Sequence, residues 1–257
     1  MDTVCTFVFD ATWEGMLSAV FDAFSLRRMP QELLRAGAQM PMFADAIHEV
    51  TTDAAHARRV WRGLKAKLPA GAMAALTASF LSELPEMDIH IFSYMVKVFR
   101  SPQGVERDFS DTDVLTVFET ARKVRHEQHR VLQFMRFQKA ADGTYFGIME
   151  PIYNVMPLTV PHFTDRFADQ RFILYDKRRG FGYYYDGHEP VEITMPENLP
   201  HITTGKLTDD VMDPDERLFQ QLWQTYFKSI AIAERRNLRK QRQDMPVRFW
   251  KYLTEKQ

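Results

Sequence analysis

The strongest constraint on the fold is a change of hydrophobic period near residue 133. Upstream, Val114, Val117, Phe118, Ala121, Val124, Val131 and Leu132 recur close to every 3.6 residues, the spacing that gathers apolar side chains on one face of a helix. Ser110-Asp-Thr-Asp113 supplies a capping sequence ahead of it. Downstream, Phe134 to Lys139 alternates with period two, Ala141-Asp-Gly143 offers a turn, and Thr144 to Met149 resumes the alternation, which predicts a β-hairpin. A short helix over Pro157 to Phe167 and two more strands, Arg171 to Asp176 and Gly180 to Tyr185 joined by Lys177-Arg-Arg179, complete a ββαββ order. A chain carrying both periods in succession is neither all-helical nor all-β. The expected architecture is α+β: an N-terminal strand and helices, a long helix, a mostly antiparallel sheet and a C-terminal helical segment.

The remaining elements follow from caps and breakers. Val4 to Phe9 reads as a first strand, Asp10-Ala-Thr12 as a turn and cap, and Trp13 to Phe24 as a helix. Met42 to Val50 is a second short strand, and Thr51-Thr-Asp53 caps a helix that Pro69-Ala-Gly71 breaks. Two further helices cover Met73 to Leu84 and Pro85 to Phe99, with Ser101-Pro-Gln-Gly104 as a loop. Polar, proline-containing Pro190 to Thr204 reads as a surface connection with little regular structure. Asp213-Pro-Asp-Glu216 starts a helix expected to bury Leu218, Phe219, Leu222, Trp223, Tyr226, Phe227 and Ile230. Two modules are expected, residues 1–84 and 85–257.

Net charge is only -1, so any field that attracts a polyanion must come from local segregation of charge. Cys5 is the only cysteine. That leaves no disulfide framework or thiolate metal cage within one chain and fits a reducing, cytoplasmic setting. The first ten residues lack the basic region of a secretory signal, and no apolar run reaches the roughly 18 residues that span a bilayer. No membrane association is expected. GxGxxG after a strand, P-loop, GxSxG and CxxC motifs are absent. His126 and His129 lie one residue short of HExxH spacing, so neither a metal nor a cofactor is expected.

Charge is segregated in two places. In the first, Arg122, Lys123, Arg125, Arg130, Arg136 and Lys139 are opposed by Glu127 alone; in the second, Lys228, Arg235, Arg236, Arg239, Lys240, Arg242, Arg248, Lys251 and Lys256 face only Glu234, Asp244 and Glu255. Lys and Arg that neutralise phosphates release counterions and give salt-dependent affinity, and Trp250 could stack on an unpaired base. The competing reading is two solvated faces with aromatics docked in the core. A third group, Glu127, His129, Glu150, His162 and Asp176, has the residue types for acid–base chemistry. Its alternative is a polar network in which Arg130 or Arg136 pairs with a carboxylate and fixes the long helix to the sheet.

Several short stretches occur together in one order: Phe9-Asp10 with Glu14-Gly15, Phe80-Leu-Ser-Glu83, Glu127-Gln-His129-Arg130 with Phe134-Met-Arg136-Phe137, Tyr145-Phe146 with Glu150-Pro151, His162-Phe163 with Arg166-Phe167, Tyr175-Asp176 with Arg178 or Arg179, and Met245-Pro246 to Leu253. On these the chain resembles a bacterial family described as "probable DNA metabolism protein". The C-terminal part resembles a domain of unknown function that also occurs fused to uracil-DNA-glycosylase-like domains. The resemblance implies a role in DNA repair or modification beside a radical-SAM or glycosylase-type partner, by association. It supplies no catalytic residues, and this chain lacks the glycosylase part. The leading expectation is an accessory protein that binds nucleic acid, DNA in the first instance, through Arg122, Arg125, Arg130, Arg136, Arg235, Arg236, Arg239, Arg242, Arg248, Trp250 and Lys251. The alternatives are an enzyme on nucleic acid using Glu127, His129, His162 or Asp176, and a protein-binding scaffold.

Overall fold

A computed structural model describes residues 5–40, 46–102, 104–230 and 237–256. Arg235, Arg236, Val4 and the first part of the strand expected from Met42 lie outside the described residues. The chain forms two compact units, Met1–Arg125 and His126–Gln257. The boundary expected at 84/85 falls inside the first, between two helices.

In the first unit, β1 (Cys5–Phe9), α1 (Trp13–Ser25), β2 (Glu32–Arg35) and β3 (Ala46–Glu49) precede α2 (Ala54–Lys67), α3 (Ala70–Phe80) and α4 (Glu86–Arg100). The sheet is wholly parallel with β1 central, in the order β2-β1-β3. Parallel strands bury both faces, which matches Thr6 and Phe7, adjacent residues on opposite faces of β1 that are both shielded from solvent. The expected caps form: Thr12 accepts a hydrogen bond from Gly15 N, and Asp53 accepts from Ala55 N and His56 N. Strand β2 is absent from the sequence-based reading, because Glu-Leu-Leu-Arg offers neither alternation nor a β-branched residue. Arg35 at its end holds Asp88 of α4 through Nε and Nη2 at 2.6 and 2.9 Å. Burial nevertheless raises the Asp88 pKa, with the Arg35 bond and charge opposing it. A long helix, α5 (Thr112–Phe134), contributes residues to both units. It starts where Asp111 Oδ1 accepts from Asp113 N and Val114 N.

The second unit contains β4 (Phe137–Lys139), β5 (Tyr145–Met149), α6 (Met156–Arg166), β6 (Phe172–Asp176) and β7 (Phe181–Tyr185). They are followed by β8 (Val191–Thr194), α7 (Pro200–Thr204), α8 (Glu216–Ser229), α9 (Leu238–Asp244) and 3-10 turns at Val247–Tyr252 and Thr254–Lys256. Strand order is β4-β5-β6-β7-β8, antiparallel except for the β5–β6 pair. That one parallel pair is the place where α6 crosses over, as a parallel connection requires. The β4–β5 turn forms as expected: Asp142 accepts from Thr144 N and Oγ1, and Gly143 takes φ +82°, which glycine adopts without strain. Phe163 of α6 and Phe167 just after it pack edge-on against Phe137, Phe167 also tilts against Phe172, and together they cover one face of the sheet.

The structure corrects two expectations. Pro190 to Thr204 is not irregular, since it contributes edge strand β8 and then α7, which opens at Pro200 and ends at Gly205 with φ +76°. Flanking prolines disguised the strand, yet Pro190 and Pro196 lie just outside its ladder, where a missing N–H does no harm. The helix expected from Asp213 begins at Glu216, and its apolar side chains are not core: Leu218, Phe219, Leu222, Trp223, Tyr226 and Ile230 are all exposed. The core of this unit is instead built by the sheet, α6 and the last turns, with Phe249 and Leu253 buried.

Candidate functional site

The richest polar cluster in the second unit forms around the loop Glu150-Pro-Ile-Tyr-Asn154, between β5 and α6. Loop backbone has donors and acceptors that no ladder satisfies, and here side chains supply the partners. Glu127, on α5 and 2% exposed, accepts from Ile152 N at 2.8 Å. The same carboxylate takes both arms of Arg248 at 2.7 and 2.5 Å, a bidentate pair that neutralises it away from water. Arg130, one turn along, lies 3.9 Å from Glu127, and its buried Nε has no hydrogen-bond partner among the described residues. From the other side, Arg179 donates to Pro151 O and Ile152 O, and Arg178 donates to Ile152 O.

Arg178 and Arg179 are fixed by Asp176 at the end of β6. This carboxylate is fully buried, bonds Arg179 Nη1 at 2.8 Å and accepts the backbone N–H groups of both arginines. Burial raises its pKa, against the pull of Arg179. Glu150 at the loop's start meets Lys251 at 2.5 Å and Lys177 at 3.7 Å. Burial pushes Glu150 up, but the bond and charge of Lys251, with Tyr252 and Lys177, bring it below the ordinary glutamate value. The phenol of Tyr252 is pushed up by burial and by the neighbouring Glu150 charge. Among the described residues, three carboxylates, Glu127, Glu150 and Asp176, therefore face six cations: Arg130, Lys177, Arg178, Arg179, Arg248 and Lys251. The cluster carries a positive surplus.

A family model for DUF4130, a domain of unknown function, matches residues 85–255. The chain belongs to the DUF4130 family. Neither the curated proteins nor the solved structures yield a match. The DUF4130 segment contains α4, α5 and every element of the second unit up to Glu255, so the whole cluster lies inside it.

Within the DUF4130 segment the sequence-derived residues separate into distinct environments. Glu127, Glu150, Asp176, Arg130, Arg248 and Lys251 converge on the loop. His129 is exposed and bonds Gln133, while His162 is exposed beside the Phe163 ring; neither has a contact with those carboxylates among the described residues. Arg136 binds Glu255 through Nη2 and Nε at 2.7 and 3.3 Å, donates to Gln133 O and Met135 O, and lies over Trp223. Trp250 donates to Met245 O at 3.0 Å, and Lys256 covers its ring. Arg122 and Arg125 are exposed on the first unit's part of α5, and Arg239 and Arg242 on α9. The two basic segments thus meet through carboxylates, Arg248 on Glu127 and Arg136 on Glu255. Among the described residues no group of three or more His, Cys, Asp or Glu is placed to hold a metal ion. Sequence reasoning passed over Lys177, Arg178 and Arg179 as a turn, although three consecutive cations in a strand connection were visible.

Proposed function

We propose that this protein binds nucleic acid, DNA in the first instance, as an accessory component whose phosphate-anchoring site is the cationic cluster around Glu150 to Asn154. The observation that carries this reading is the surplus, among the described residues, of six cations over three carboxylates at one loop. Arg248 and Arg179 neutralise the buried carboxylates and set the frame. Arg130, whose side chain is 25% exposed, and exposed Arg178 then have donor capacity left for an anion. Exposed Arg239 and Arg242 would extend contact along a phosphate backbone. The carboxylates serve as ion-pair partners, and neither His129 nor His162 stands beside them to relay a proton, which favours binding over acid–base chemistry. By the resemblance noted from sequence, the chemistry would come from a partner enzyme of radical-SAM type in DNA repair or modification.

Fluorescence anisotropy with labelled single- and double-stranded oligonucleotides over a salt series tests the reading. Arg130→Gln combined with Arg239→Gln and Arg242→Gln should weaken binding across sequences and lower the salt slope by roughly one for each phosphate no longer neutralised. A folded triple variant with unchanged affinity and slope would overturn it.

A further inference from the structure

Helix α8 has its amphipathicity inverted with respect to its own unit. The side that meets the rest of the unit is mostly polar: Gln224 Nε2 donates to Thr254 O at 3.0 Å, with half-buried Phe227 under Lys256 beside it, and Trp223 stands at the border, its Nε1 donating to Glu255 Oε2 at 3.0 Å. At the helix start Glu216 Oε2 accepts from Lys139 N at 3.1 Å. The other side carries Leu218, Phe219, Leu222, Trp223, Tyr226 and Ile230, between 41% and 62% exposed. Leu218, Leu222, Tyr226 and Ile230 form one ridge at four-residue spacing, and Phe219 and Trp223 stand in the next ridge. Two parallel ridges with a groove between them are the surface that packs helix on helix.

We infer that this face is covered by α8 of a second copy of the chain, in an antiparallel, two-fold symmetric pair. The area is sufficient. A whole aromatic side chain presents about 150–250 Å², so six large side chains near half exposure leave on the order of 600 Å² of apolar surface. Per chain this is at the top of the range that isolated proteins leave in water, about 300–600 Å², and doubled, about 1,200 Å² reaches the range of specific interfaces. The face also suits itself electrostatically. No charged residue interrupts it, so self-contact brings no like charges together, and antiparallel pairing sets opposed helix dipoles side by side. It also brings the acidic start of the helix, Asp215 and Glu216, towards the end that carries Lys228 on the partner copy. With the two-fold axis at the middle of the ridge, Leu222 of one copy packs beside Tyr226 of the other, and Leu218 beside Ile230.

Sedimentation equilibrium of the full chain at micromolar concentration should give twice the 30.1 kDa chain mass. Leu222→Glu should raise the dissociation constant by about 100-fold or more and make Tm independent of protein concentration, whereas the wild-type Tm rises with concentration. A mixture of Leu222→Cys and Tyr226→Cys chains should oxidise to the mixed disulfide in preference to either homodimer; native Cys5 is buried. A wild-type chain that stays monomeric, or a dimer that survives Leu222→Glu, overturns the proposal. Homodimeric disulfides alone would overturn the antiparallel register. Nucleic-acid affinity does not enter this test.

Discussion

Replacing Arg248 with alanine should destabilise the second unit by about 3 kcal/mol, at the low end of the 3–5 kcal/mol typical when one partner of a buried ion pair is removed. Glu127 is 2% exposed and would keep only the Ile152 N–H at 2.8 Å and the more distant Arg130 at 3.9 Å. The low end applies because Arg248 itself is 29% exposed, so water can follow into the vacated space and screen the carboxylate. For a unit of this size a loss of that magnitude lowers the midpoint by about 10 °C. Urea and thermal unfolding, followed by circular dichroism, would measure it. Glu127→Gln leaves a neutral amide that still accepts from Ile152 N, and should cost less, about 1 kcal/mol. A double-mutant cycle over the two positions should return a coupling of at least about 1.5 kcal/mol. If Arg248→Ala costs under about 1 kcal/mol, or the two changes simply add, the pair does not clamp the loop. If the variant keeps its stability but loses nucleic-acid affinity, Arg248 is a ligand contact and its assignment to the frame is wrong.

Gly182→Ala should cost about 2 kcal/mol in the same unfolding assays, because a Cβ there would collide with the carbonyl oxygen of Leu174 and the ring of Tyr175 across the β6–β7 pair; a neutral effect would mean that the ladder can open without strain at this point. The Glu150 carboxyl is held below its ordinary value, so its contribution to stability is present above that value and lost as pH falls through the lowered one. The stability gap between wild type and Lys251→Met should therefore be flat near neutrality and shrink on acidification from about pH 6 to about pH 3. A gap that widens on acidification would reverse the assigned sign.

Local chemistry explains which parts of this fold are legible in the sequence. Thr12, Asp53 and Asp111 cap helices through bonds two or three residues away, and Asp142 and Gly143 close a turn on themselves, so a short window contains both partners. Strand β2 escaped because its four residues are defined by pairing with β1, 26 positions earlier in register, and by nothing in their own order. The candidate site divides the same way. Glu127, Glu150, Asp176, Arg130, Arg248 and Lys251 could be named as chemically capable. Their pairing could not, since Glu127 and Arg248 are 121 positions apart and Arg136 and Glu255 are 119 apart.

Two different errors arise from treating periodicity and charge as if each had one meaning. An amphipathic stripe states that an apolar face will be covered, because leaving it in water is unfavourable in proportion to its area. It does not state by what, and α8 shows the difference: its glutamines and Phe227 hold the unit while its leucines, Phe219 and Tyr226 face outward. A run of cations likewise states that positive charge is gathered, but the field that a polyanion meets is what remains after buried carboxylates have taken their share. Around Glu150 to Asn154 that subtraction removes Arg248, Arg179 and Lys251 and leaves Arg130, Lys177 and Arg178. On the proposed nucleic-acid reading, counting charges along the chain overstates the number of phosphates neutralised and misses Lys177 and Arg178, and a measured salt slope would register the smaller number.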